Sequence, residues 1–166
     1  MCAAIVAIAT IIALQKSIVP AQYPAPWYEW NATFANEKEK PTVLFLPWHQ
    51  YMAFNFTNYL SVANPAPIFF TNAEIMSGDN IEIMRDGISV ESISTNPRSK
   101  AIEAVLAAPT DSDFESMLTV LMHRENMRYI MLAEPERNSE LVRRLSHIDS
   151  ISLQSENKDL MVFKYE

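Results

Sequence analysis

Glycine, cysteine and positive charge are scarce in this chain of 166 residues. Its two glycines, Gly78 and Gly87, stand nine positions apart. The dinucleotide fingerprint, the P-loop and the nucleophile elbow all place glycine where backbone must approach a ligand or turn sharply. None of them can be written with these two. Cys2 is the single cysteine, so neither an internal disulfide nor a multi-cysteine zinc site can form. Thirteen basic residues against twenty acidic give a net charge of −7. Nucleic-acid affinity needs clustered Lys and Arg against the phosphates, and no such partner is expected. His49, His123 and His147 have no second His or Cys at metal spacing. No metal and no other cofactor is expected, and His123 and His147 read as helix-end residues.

What is present points to a folded domain of ordinary size: 49% of residues are apolar and 20% charged. The first 36 residues differ from the rest, with Lys16 and Glu29 as their only charges. From Met1 to Leu14 every residue but Thr10 is apolar. As a helix that run is about 21 Å long, short of the roughly 30 Å of a bilayer core. It is apolar all round, which suits lipid or a deep core. It has no basic flank or small-x-small site of a signal peptide. Residues 1–16 therefore read as an apolar, transmembrane-type helix, the tail of a span, with membrane lipid as the partner of residues 1–14. Residues 17–40 read as a linker: Pro20, Pro24 and Pro26 argue against a regular helix. Tyr23, Trp27, Tyr28 and Trp30 suit either a membrane interface or packing onto the domain.

Residues 41–166 read as an α/β domain. "PTVLFLPW" is a buried strand stopped by Pro47, and "IEIM-RDG-ISVES" a hairpin about Asp86-Gly87. A helix follows, with Asn96 as cap, Pro97 at its first position, and Ala101, Val105 and Ala108 inward. Ser112 and Glu115 make a capping box for the next, which turns Phe114, Leu118, Leu121 and Met122 inward. "MRYIMLA" is a second buried strand. "RNSELVRRLSHI" is a helix with Leu141, Leu145 and Ile148 inward. The chain closes in a hairpin turning at Glu156-Asn157-Lys158. This order predicts a mixed β-sheet with flanking helices and a C-terminal hairpin. Residues 37–166 are expected to fold alone.

Two acidic motifs invite sharper readings. Asp111-Ser112-Asp113 matches the D-x-D of nucleotide-sugar transferases, but carboxylates at a helix start more often serve the cap and the dipole. Ser77-Gly78-Asp79-Asn80 is either a tight turn or a polar recognition loop. Asn31-Ala32-Thr33 and Asn55-Phe56-Thr57 are glycosylation sequons, with Asn31 the favoured acceptor because it falls in the linker.

The order of Leu46-Pro47-Trp48 with Tyr51, Asn64-Pro65-Ala66 with Phe69-Phe70, and Gly78-Asp79-Asn80 resembles the C-terminal part of multi-spanning glycosyltransferase-type membrane proteins of bacteria and archaea, relatives of the GT-C fold. The resemblance runs from the apolar run at residue 2 to the last hairpin. It implies an extracytoplasmic domain, residues 41–166, behind a membrane helix. It also implies that the catalytic acid of such enzymes lies outside this chain. No catalytic residue carries over. The domain would assist glycan or acceptor binding, or cap the membrane cavity, with a glycan or lipid-linked sugar as ligand. Trp48, His49 and Tyr51 are the candidate binding surface, since rings stack on sugars and His or Tyr bond hydroxyls, and Asp79 and Asn80 stand beside them. The alternative is a self-standing soluble α/β enzyme or small-molecule binder with residues 1–14 as a buried helix.

Overall fold

The computed structural model describes residues 22–80, 82–85, 88–91 and 94–166, of which 82–85 and 88–91 are described by their backbone alone. The expected apolar helix of residues 1–16 lies outside the described residues. Among those described, no helix is long and apolar enough to cross a membrane.

Five strands form the main sheet. β1 (Thr42–Leu46), β4 (Glu74–Met76) and β7 (Met127–Ala133) run parallel, and β8 (Ile151–Glu156) and β9 (Leu160–Tyr165) close the sheet as an antiparallel hairpin. The order across the sheet is β4-β1-β7-β9-β8. β1 and β7 are its central strands, and their near-continuous Val, Leu, Ile, Phe and Met runs are what two covered faces require. Smaller hairpins are β2 (Tyr51–Ala53) with β3 (Ser61–Ala63), and β5 (Glu82–Arg85) with β6 (Ile88–Glu91). The last is the expected hairpin, with Arg85 opposite Ile88, and the expected turn residues Asp86-Gly87 lie outside the described residues.

Alternate strand residues feed two cores. Leu44, Leu46, Ile130, Leu132, Met161 and Phe163 face α3 (Pro97–Leu106), α4 (Asp111–Arg124) and α5 (Ser139–Leu145). Val43, Phe45, Tyr129, Met131, Leu160 and Val162 face α1 (Ala25–Ala35) and the short α2 (Ala66–Phe69). The mixed sheet, flanking helices and closing hairpin expected from the sequence are all present.

α1 corrects the linker reading. Pro24 is its N-cap and Pro26 lies in the first turn, where a helix needs no donated N–H and a fixed φ is already helical. Trp27 and Phe34 then project from one face at i and i+7 and are 0% and 2% exposed. Trp27 meets the rings of Phe45, Phe54 and Phe70 at 5.0–5.7 Å. The folded unit therefore includes residues well before Lys40.

Two smaller corrections concern the helices on the other face. α4 is capped by Thr110, not Ser112: Thr110 Oγ1 accepts from Asp113 N at 3.1 Å and donates to Asp113 Oδ2 at 2.6 Å. Pro109 cannot continue α3, so the new helix starts at the first side chain able to cap it. In α3, Ile102 and Val105 are buried together with Ser99, Ala101 packs at their margin, and Ala108, just past the helix, is buried as expected. Asn96 caps as expected, accepting from Arg98 N at 3.0 Å. The stripe of Phe114, Leu118, Leu121 and Met122 is buried as expected.

Candidate functional site

The chain leaves β1 toward the face covered by α1 and leaves β7 toward the face covered by α5. Adjacent parallel strands whose exits part in this way open a crevice at their carboxyl ends, where open α/β sheets bind ligands. Here the two exits are Pro47–Gln50 and Glu134–Asn138. Between them lie two cavities of about 570 and 350 Å³ that share Pro47, His49 and Asn138. The larger is walled by the end of α3, through Glu103 and Leu106, and by Glu140, Leu141 and Arg144 of α5. The smaller is walled by Tyr51, Ser61, Glu134 and Arg137. His49 and Asn138 thus stand in the common wall.

Several wall residues are held by hydrogen bonds. His49 N donates to Pro47 O at 3.0 Å, and Gln50 N to Asn80 O at 3.1 Å, so the exit loop of β1 is pinned to the exit loop of β4. Asn80 is 3% exposed, and its amide nitrogen lies 3.5 Å from His49 Nδ1. Asn138 Nδ2 donates to Ala133 O and Glu134 O at 3.1 and 3.0 Å, which fixes the turn after β7. Glu134 holds a left-handed φ of 49°, costly for a residue with a Cβ. Its Oε1 accepts from Asn55 N at 2.9 Å, and the side chain is 7% exposed.

Arg144 closes the floor near α4. Its Nη2 donates to Ala108 O and Thr110 O at 3.0 and 2.9 Å, and its Nε lies 3.3 Å from Asp111 Oδ1. The guanidinium sits 4.1 Å from the centre of the Phe114 ring. Asp111 also takes both Nη atoms of Arg143, which hold its carboxyl below the usual range. The D-x-D carboxylates are thus engaged, one in ion pairs and the other with the cap. Among the described residues no group of three His, Cys, Asp or Glu could hold a metal ion.

The structure sorts the five residues singled out from sequence. His49 lines both cavities, Asn80 the larger and Tyr51 the smaller. Trp48 lines the larger at its edge, but it is 5% exposed and belongs to the core, so its face is closed to stacking. Tyr51 is exposed. Asp79 lies outside both cavities and is spent on structure: Ser94 Oγ donates to its Oδ2 at 2.8 Å and accepts from Asn96 N at 3.1 Å, tying the exit of β4 to the start of α3. Sequence reasoning missed Glu103, Glu134, Asn138 and Arg144, which carry no motif and converge only through the crossings of the sheet.

The glycosylation expectation is also corrected. Asn31 lies within α1, where its Oδ1 accepts from Asn72 N at 3.3 Å and its backbone carbonyl from Asn72 Nδ2 at 3.1 Å. Asn55 Nδ2 donates to Asp159 Oδ1. Neither sequon sits on a free loop.

No protein-family model matches the chain, and no curated protein matches it.

Proposed function

We propose that this is a non-catalytic, ligand-binding α/β domain of a membrane glycosyltransferase-like protein, extracytoplasmic and tethered through residues 1–16, which takes a glycan or the sugar of a lipid-linked acceptor in the β1/β7 crevice. One observation carries the binding half of this reading. His49 and Asn138 stand in the wall shared by two neighbouring cavities at the carboxyl ends of β1 and β7, with Tyr51, Asn80 and Glu103 around them. The His49 imidazole, the Glu103 carboxylate and the Tyr51 phenol are groups that can bond the hydroxyls of a polyhydroxyl ligand. Among the described residues the two arginines of the crevice are already engaged, Arg144 by Ala108 and Thr110 and Arg137 by Ala53 O, so neither is set for a bare phosphate. The glycosyltransferase setting rests on the sequence resemblance alone.

The test is calorimetric titration of the full chain in detergent with oligosaccharides, nucleotide sugars and polyprenyl-phosphate sugars. Saccharide binding is expected to weaken at least tenfold in His49→Ala at unchanged Tm. No heat from any saccharide overturns the reading. A second reading, a small self-standing α/β enzyme, draws on the same crevice, since α/β enzymes place chemistry at such a switch point. Turnover of any of these compounds, lost in His49→Ala, would favour it.

A further inference from the structure

We propose that the end of the domain built from the start of α1, the β2–β3 hairpin and α2 rests on the surface of a phospholipid bilayer. Four large side chains stand out from it: Tyr28, Tyr59, Leu60 and Ile68 are 54, 56, 60 and 84% exposed. Single exposed apolar residues are ordinary. Here they come from three separate segments joined underneath by one run of rings. Tyr28 touches Phe69 at 5.1 Å, Phe69 touches Tyr23 at 4.5 Å, and Tyr23 touches Phe56 at 5.3 Å. Tyr59 and Leu60 follow Phe56 on the same hairpin.

The segments that make this face carry little charge of their own, and the acids that reach the hairpin, Glu134 and Asp159, are bonded to Asn55. From Pro41 to Ala73 there is no Asp, Glu, Lys or Arg, and from Gln22 to Asn36 there is only Glu29. A face meant for water alone would carry charge. Tyrosines with wet tips over aliphatic neighbours suit the headgroup boundary. Arg137 lies 4.9 Å from the centre of the Tyr59 ring, a cation at the border that suits anionic headgroups.

The chain itself names the occupant. Met1–Leu14, apolar but for Thr10, joins the folded part just before Tyr23, whose ring is inside this cluster. In sequence, the segment apolar enough to enter lipid precedes the start of the folded part, and that start lies in this cluster. The inference rests on the membrane setting of the proposed function and is independent of what the crevice takes.

The experiment uses the full chain with Cys2→Ser and one new cysteine at a time, Leu60→Cys, Ile68→Cys or, as a control on β8, Leu153→Cys. Each carries an environment-sensitive fluorophore. On adding phosphatidylcholine–phosphatidylglycerol vesicles, the labels at positions 60 and 68 should shift to the blue and be quenched by doxyl lipid, and the label at 153 should do neither. If the chain binds vesicles but positions 60 and 68 stay water-like, the inference fails and the membrane setting stands. If the chain does not bind vesicles, both fail. If the labels at 60 and 68 are shielded without lipid and light scattering gives a dimer, the face belongs to a second copy and the inference is overturned.

Discussion

The backbone of Gly78 lies directly against that of His49: a Cβ at position 78 would stand 2.4 Å from His49 N and 2.6 Å from the carbonyl carbon of Trp48. These neighbours are main chain, so a side chain there cannot be met by a rotamer change. Gly78→Ala should therefore cost about 3 kcal/mol in denaturant unfolding and weaken saccharide binding together with stability. A stable variant with intact binding would show that the two exit loops are not held by this approach.

Trp48 and His49 are adjacent and should behave oppositely. Trp48→Ala is expected to lose about 3–5 kcal/mol, the cost of emptying a large buried site. His49→Ala should keep its Tm and lose binding. Equal stability losses would mean that His49 is a packing residue.

The same contrast holds for Arg143 and Arg144. Arg144 is 9% exposed and satisfies two carbonyls and a carboxylate, so Arg144→Ala should cost about 2–4 kcal/mol through groups left unpaired. Arg143 is exposed, and Arg143→Ala should leave the melting temperature within experimental error. A Tm loss in Arg143→Ala matching that of Arg144→Ala would contradict this.

Tyr129 donates to Glu37, and burial, then that bond and the Glu37 charge, push its phenol up to about 12 from 10.0. The folded state thus holds the phenolic proton more tightly than the unfolded state. The contribution is fully present below pH 10 and is lost as pH rises from 10 to 12. Tyrosinate absorbance should show one phenol titrating late. Tyr129→Phe should flatten that part of the stability profile, and an unchanged profile would dismiss Tyr129 as its source.

Where the chain is cut should matter. A chain starting at residue 37 lacks Trp27 and Phe34, and with them the cover over Phe45, Phe70 and Tyr129. It is expected to lose cooperative unfolding, contrary to the expectation that residues 37–166 fold alone. Circular dichroism melts of chains starting at 22 and 37 decide this.

Composition and local pattern alone determined much of this protein. The apolar runs at 42–46 and 127–133 read as strands because they are short, rich in strand formers and suited to a sheet covered on both faces. Asn96 with Pro97, and the stripe from Phe114 to Met122, set two helices by rules that act within a turn or two. The want of glycine excluded the phosphate loops before any fold was known. Tertiary structure decided what depends on distant neighbours. α1 exists because an aromatic core waits for Trp27 and Phe34, a gain that outweighs poor helix signals among three prolines. Trp48 went inward and His49 to the crevice where Gly78, from the loop after β4, lies against their backbone. Glu134, Asn138 and Arg144 meet His49 only because the exits of β1 and β7 part to opposite faces, a property of strand order that no stretch of sequence carries.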